Sequence, residues 1–199
     1  IGLYSSKNGS TVTLDTAGII SVYENGTGIY KLGGTLQLDG TLKALDKNSV
    51  GAYVEGGTVT NNSTSLVIGS EAYGIVGSSG PSGPTSITNS SSNVTMGDNS
   101  VFIYSSDTSG TITNNANLTS SSNKLYGLYG SGTIVNNNTI DYSTGIGNVG
   151  IYITNGGNAT NYSTISVGGS NASTNSYGIG IVADNGATAY NGSTAPSTL

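Results

Sequence analysis

The chain has 199 residues, of which 8% are charged; it carries five Lys, ten acids and a net charge of −5, with no Arg, His or Cys. A surface for nucleic acid or anionic lipid needs clustered cations, so the composition argues against both partners. Without His or Cys there is no Ser-His-Asp or Cys-His machinery and no zinc site of the usual kind, so the expectation is no enzyme, no metal and no cofactor.

Glycine is abundant at 32 residues, yet 13 Tyr and recurrent Ile and Val favour strands over disorder. No apolar run reaches the length of a membrane-spanning helix. The chain opens on Ile1 and shows neither a signal peptide nor a barrel. It therefore reads as one segment, 1–199, cut from a longer protein.

The pattern Gly-(Ile/Leu/Ala)-(Tyr/Val) restarts eight times, at Gly2, Gly28, Gly51, Gly74, Phe102 (in place of Gly), Gly127, Gly150 and Gly178. The restarts lie 23 to 28 residues apart. A Gly- and Ser-rich turn follows each first piece. Second pieces come next: Thr11–Leu14, Thr35–Leu38, Thr58–Thr60, Ser86–Thr88, Thr111–Thr113, Thr133–Val135 and Asn158–Thr160. Asn-containing steps lead to third pieces at Ile19–Val22, Leu42–Leu45, Leu66–Ile68, Val94–Met96, Ile140–Tyr142 and Ile165–Val167. Pro81 and Pro84 lie in a lengthened turn of the fourth unit, where insertions cost little, and that turn is a candidate for partner contact.

A repeat of this period without a 3.6-residue apolar stripe excludes helical arrays. The Leu/Asn spacing of a leucine-rich horseshoe is missing, and a propeller needs about four strands per unit. The expected fold is all-β: a right-handed parallel β-helix of about eight coils, with three short strands per coil and 23–28 residues per coil. At about 4.8 Å per coil, the rod is on the order of 40 Å long.

Alternation along the first strand sets the Ile/Leu position inward, together with the preceding Val50, Val101 and Val149. Tyr73, Tyr126 and Tyr177 replace Val at that inward place. Gly and Tyr then share the outer face. Tyr4, Tyr30, Tyr53, Tyr104, Tyr129 and Tyr152 form an exposed aromatic column, a candidate binding surface because Tyr offers a rigid amphipathic face to receptors and sugars. The alternative reading of the same column is an aromatic ladder that only covers and stabilises the strands. Asn61, Asn89, Asn114, Asn136 and Asn161 recur after the second strand, where Asn suits a tight turn of left-handed or bridge backbone and can stack as a structural amide ladder. Leu14 and Leu38 hold that place earlier, so the ladder should begin at the third unit. Asp15 and Asp39 fall one coil apart, near the spacing of a retaining glycosidase pair, but read as exposed turn carboxylates.

The repeated Gly-Ile-Tyr, Gly-Thr-Ile-Val-Asn-Asn-Asn, Ala-Thr-Asn-Tyr-Ser-Thr-Ile and Tyr-Gly-Ile-Gly-Ile-Val units resemble the passenger regions of large type V autotransporter adhesins, those of fusobacteria above all. The resemblance covers essentially the whole chain, and its motifs are structural. It implies a non-enzymatic, extracellular segment displayed on the bacterial outer membrane, supporting attachment to host-cell receptors or glycans or to other bacteria, and monomeric. The alternatives are a pure stalk with the binding site elsewhere, or a β-helical polysaccharide-processing enzyme.

Overall fold

The computed structural model describes residues 1–192. Short segments rich in β-branched residues form strands that never pair with their sequence neighbours. At every step but one they pair in parallel with the equivalent strand of the next coil; the exception lies on the third face. The first coil comprises β1 (Leu3–Ser5), β2 (Thr11–Leu14) and β3 (Ile19–Val22); the second, β4 (Thr27–Leu32), β5 (Thr35–Leu38) and β6 (Thr41–Ala44). The third holds β7 (Val50–Glu55), β8 (Gly57–Asn61) and β9 (Ser65–Ile68), and the fourth β10 (Tyr73–Ser78), β11 (Thr85–Asn89) and β12 (Val94–Met96). Then come β13 (Val101–Ser105), β14 (Thr111–Asn114) and β15 (Leu118–Thr119), followed by β16 (Tyr126–Gly130), β17 (Thr133–Asn136) and β18 (Ile140–Tyr142). The seventh coil is β19 (Val149–Ile153), β20 (Asn158–Asn161) and β21 (Ile165–Val167); β22 (Ile179–Ala183) and β23 (Thr188–Asn191) complete the described chain. The protein is thus a parallel β-solenoid of seven full coils and, among the described residues, two strands of an eighth.

Two faces are continuous eight-stranded sheets. The third is split. A sheet of β3, β6, β9 and β12 stops at the fourth coil, and one of β15, β18 and β21 begins at the fifth. At the split the fifth coil's strand is only two residues long, so the interior needs bulk. Phe102, Met96 and Tyr142 supply it: all three are buried, and the Tyr142 hydroxyl lies 3.5 Å from Met96 Sδ across the break. Ser122 Oγ donates to the Met96 carbonyl at 2.7 Å, giving that carbonyl a partner where the sheet ends.

The interior is otherwise columns of like residues. Ile29, Ala52, Ile75, Ile103, Leu128 and Ile151 stack on the first face; Leu36, Val59, Ile87, Ile112 and Ile134 stack on the second. The outer side of the second face is dressed with Thr in register, as in Thr11–Thr35–Thr58, and such cross-strand pairs add to sheet stability.

Simple alternation fails at the Gly of the first strand. A Cβ on Gly51 would lie 2.6 Å from the Gly74 carbonyl oxygen and 3.2 Å from the buried Leu42 side chain, so this position faces inward. The next residue, Ala52, is also in the core. The strand bends at this step, both residues point inward, and the residue before Gly is turned outward. Val50, Val101 and Val149, with Tyr73 and Tyr126, therefore lie on the outer side beside the Tyr column, contrary to the expectation from alternation. The Tyr126 ring packs 5.7 Å from that of Tyr129, and Val101 and Val149, although buried beneath their neighbours, lie outside the contiguous interior cluster. Phe102, at the Gly position, accordingly fills the interior.

The last restart is also displaced. Ile151 pairs with Ile181 and Tyr152 with Val182, so the eighth coil begins at Gly180, and Ile179 rather than Tyr177 follows Val149 in the neighbouring column. The residues between form an insertion with a short 3-10 turn, Ala172–Thr174.

The corner preceding each first strand places one residue in the left-handed region: Asn25, Asn48, Glu71, Asn99, Lys124 and then Gly147. Each backbone N–H there donates to the coil above, as in Asn48 to Glu71 and Glu71 to Asp98, both 2.9 Å. The buried Asn ladder lies elsewhere. Its members end the second strands, and none is among the residues of positive φ, so their side chains rather than a left-handed turn select Asn.

Candidate functional site: an aromatic face ending in a groove

Register places Tyr4, Tyr30, Tyr53, Val76, Tyr104, Tyr129, Tyr152 and Val182 in one outward column. All six anticipated tyrosines are brought together, in two groups separated by Val76. In the lower group, ring centroids lie 5.4 Å apart for Tyr4–Tyr30 and 5.5 Å for Tyr30–Tyr53, the latter stacked. In the upper group, Tyr104–Tyr129 are 5.0 Å and Tyr129–Tyr152 4.7 Å apart. Tyr126, from the neighbouring column, packs 6.1 Å from Tyr152 and widens the upper group to four rings.

Hydroxyls in this column reach residues at the strand end one coil above. Tyr30 donates to Glu55 Oε1 at 2.5 Å, Tyr53 to Ser78 Oγ at 3.4 Å and Tyr152 to Asp184 Oδ2 at 2.7 Å. The bond to Glu55, followed by burial and the carboxylate charge, pushes Tyr30 up to about 12. Asp184 does the same for Tyr152, also to about 12. Burial, then the neighbouring Tyr104 and Tyr126, raises Tyr129.

The upper group borders a groove of about 460 Å³, in the size range of small-ligand sites. Val149, Ile179 and Val182 supply its apolar lining, Tyr126, Tyr152 and Tyr177 its rings, and Lys124 its cation. The insertion closes one side and is internally tied. Asn171 N–H donates to the Ser176 carbonyl at 2.6 Å, Ser176 N–H returns to the Asn171 carbonyl at 3.0 Å, and Ser173 N–H caps onto Asn171 Oδ1 at 3.0 Å. Repeat-based reading passed over this groove because its wall lies outside the repeat; the lengthened interval between Gly150 and the last restart was the only signal. A second hollow, of about 610 Å³, is lined by Ile165, Ile181, Ala189 and other residues at the last described coil. It is the solenoid interior seen end-on rather than a surface site.

The Asn ladder is internal as far as Asn161, and its last member, Asn191, is exposed. Asn61 Nδ2 donates to Asn89 Oδ1 at 2.8 Å, Asn89 to Asn114 and Asn114 to Asn136 at 2.7 Å, and Asn136 to Asn161 and Asn161 to Asn191 at 2.6 Å. It starts at Asn61, paired in register with Leu38, and runs one step further than expected, to Asn191. Asn61, Asn89, Asn114, Asn136 and Asn161 are all at most 1% exposed, which excludes them as a binding surface.

The acids do not converge on one centre. Asp15 is exposed and accepts from Ala17 N–H at 2.8 Å; Asp39 accepts from Gln37 Nε2 at 2.9 Å and Asn62 Nδ2 at 3.3 Å. Asp107 is buried without a cation, holding Thr85 N–H at 2.7 Å and Ser109 N–H at 3.0 Å, and so fixes the end of the Pro81–Pro84 turn. That turn folds back along the solenoid, where Ser82 Oγ bonds Asn8 Oδ1 of the first coil. Among the described residues no three acids gather as a metal site. Lys31 is buried beneath the first coil, its ammonium donating to the Lys7 carbonyl at 3.1 Å and Ser10 Oγ at 3.0 Å, and burial pushes its pKa down. No helix is long and apolar enough to cross a membrane among the described residues.

The class these features define is a parallel β-solenoid repeat protein with an aromatic outer face. No family model, curated protein or solved structure matches the chain.

Proposed function

We propose that the chain is a non-enzymatic, extracellular adhesive segment of a bacterial surface protein, of the autotransporter-passenger kind, acting as a monomer. Its aromatic face contacts host-cell receptors or glycans, or other bacteria. One observation carries the reading: six tyrosines, contributed by six different coils, are gathered on a single outward face. A column needed only to cover strands could use any β-branched residue, as Val76 and Val182 do. Tyr adds flat rings with polar tips, the surface that recurs at binding hot spots.

The test is attachment of the purified, labelled segment to host epithelial cells, to partner bacteria and to a glycan array. The expected result is saturable binding that drops at least about tenfold when Tyr104, Tyr129 and Tyr152 are changed together to Ala, a loss of about 1.4 kcal/mol or more. A segment that keeps its far-ultraviolet dichroism and binds no surface is a stalk. Binding undiminished in the triple variant would place adhesion on another face.

A further inference from the structure

We propose that the groove walled by the Ser170–Tyr177 insertion binds a carboxylated sugar, with the pyranose ring lying on the tyrosines and its carboxylate paired with the Lys124 ammonium. The inference rests on the adhesive reading and specifies its ligand.

The starting observation is a misfit in the corner column. Asn is the side chain that best tolerates the left-handed backbone this corner demands, and Asn25, Asn48 and Asn99 use it. Besides Gly147, which the left-handed region suits, two residues depart, Glu71 at φ 58° and Lys124 at φ 55°. Glu71 has a local reason: its carboxylate meets Lys47 Nζ at 2.6 Å. Lys124 has none, because no carboxylate lies within ion-pair range of its ammonium among the described residues. A strained residue without a structural partner points to a ligand.

The surroundings fit an anion. Lys124 lines the groove together with Tyr126, Tyr152 and Tyr177. Two acids lie close by, and both are engaged elsewhere. Asp98 lines the adjoining hollow and accepts from Asn123 N–H at 2.7 Å and from Asn123 Nδ2 at 3.4 Å; Asp184 takes the Tyr152 hydroxyl at 2.7 Å. Those bonds come from neutral donors and leave both carboxylates charged, but neither acid lines the groove, whose one charged lining residue is Lys124. The rings offer flat apolar faces for sugar C–H groups, and Thr174 and Asn175 bring further hydrogen-bonding groups to the same wall. The wall's internal hydrogen bonds lower the ordering cost of binding. An acidic peptide would meet Lys124 equally well, but three tyrosines around a groove of about 460 Å³ favour a ring over an extended chain.

Carboxylated pyranoses come from two sources, sialic acids at glycan ends and uronic acids within polysaccharides. Titration calorimetry would use a sialylated trisaccharide, its asialo counterpart, and a glucuronate-containing disaccharide beside its neutral glucose analogue. The expected result is that one acidic sugar binds at least about tenfold tighter than its neutral partner, as a charge-assisted bond gives. Lys124→Gln erases that difference, and Tyr126→Ala removes binding of both members of the pair. Which acidic sugar wins identifies the source. Equal affinity for acidic and neutral sugars, an unchanged preference in Lys124→Gln, or no binding of any of the four sugars would overturn the proposal. Lys124 is exposed, so its variant is expected to fold. If Lys124→Gln attaches to cells as the parent does, the acidic-sugar assignment fails while the adhesive reading stands. If the parent segment attaches to no cell, bacterium or glycan, the adhesive reading itself fails.

Discussion

Replacing Asn114 by Ala should be among the most damaging single changes in this chain. Asn114 is fully buried at the middle of the ladder. Its amide donates to Asn136 Oδ1 at 2.7 Å and to the Ala116 carbonyl at 2.8 Å, and its oxygen accepts from Asn89 Nδ2 at 2.7 Å. Alanine leaves three interior polar groups short of a partner, each costing about 1–3 kcal/mol. With partial relaxation the loss is about 3–5 kcal/mol, or a fall of about 10 °C in melting temperature for a chain of this size. Urea unfolding followed by far-ultraviolet dichroism measures it. Asn62→Ala is the control: that amide is exposed and reaches Asp39 at 3.3 Å, so its removal should cost under about 0.5 kcal/mol. An Asn114→Ala loss within about 1 kcal/mol of the control would show that the amides stack without stabilising, and would refute the reasoning.

Restoring the repeat residue at Phe102 should harm rather than help. Phe102→Gly empties the interior at the split third face and should cost about 3–5 kcal/mol in the same unfolding assay; a neutral result would mean that the split is not filled by this ring. The hydroxyl pairs give a pH prediction. Tyr30 and Tyr152 ionise near 12 in the fold against an ordinary 10.0, so the folded state holds those protons more tightly. Stability contributed by these pairs is complete below pH 10 and is lost as pH rises through about 12. Phenolate absorbance should show a late-ionising class that shrinks in Glu55→Gln and Asp184→Asn; titration curves identical to the parent's would sink the assignment.

Much of the architecture was legible because parallel stacking converts a sequence period directly into a column. The Tyr column and the Asn ladder needed only the restart positions, and Leu38 beneath Asn61 marked the ladder's start. What failed has physical causes. Strict alternation ignores a bend, so Val50, Val101 and Val149 were expected inside although the doubled inward step at Gly-Ile turns them out. The Leu118–Thr119 strand is too short to register as a pattern. In Tyr177-Gly178-Ile179-Gly180-Ile181 two copies of Gly-Ile overlap, and only packing of Ile181 on Ile151 chooses between them. The groove was hidden for the same reason: the insertion that walls it displaced the last restart.

The division of the third face bears on mechanics. Between β12 and β15 the coils are joined by two hydrogen-bonded faces rather than three, with side-chain contacts such as Ser122 to Met96 bridging the gap. A rod loaded along or across its axis yields first where its cross-section is least braced. This protein therefore carries a built-in flexure point near its middle, and stretching should detach the upper coils from the lower ones there before either half unravels.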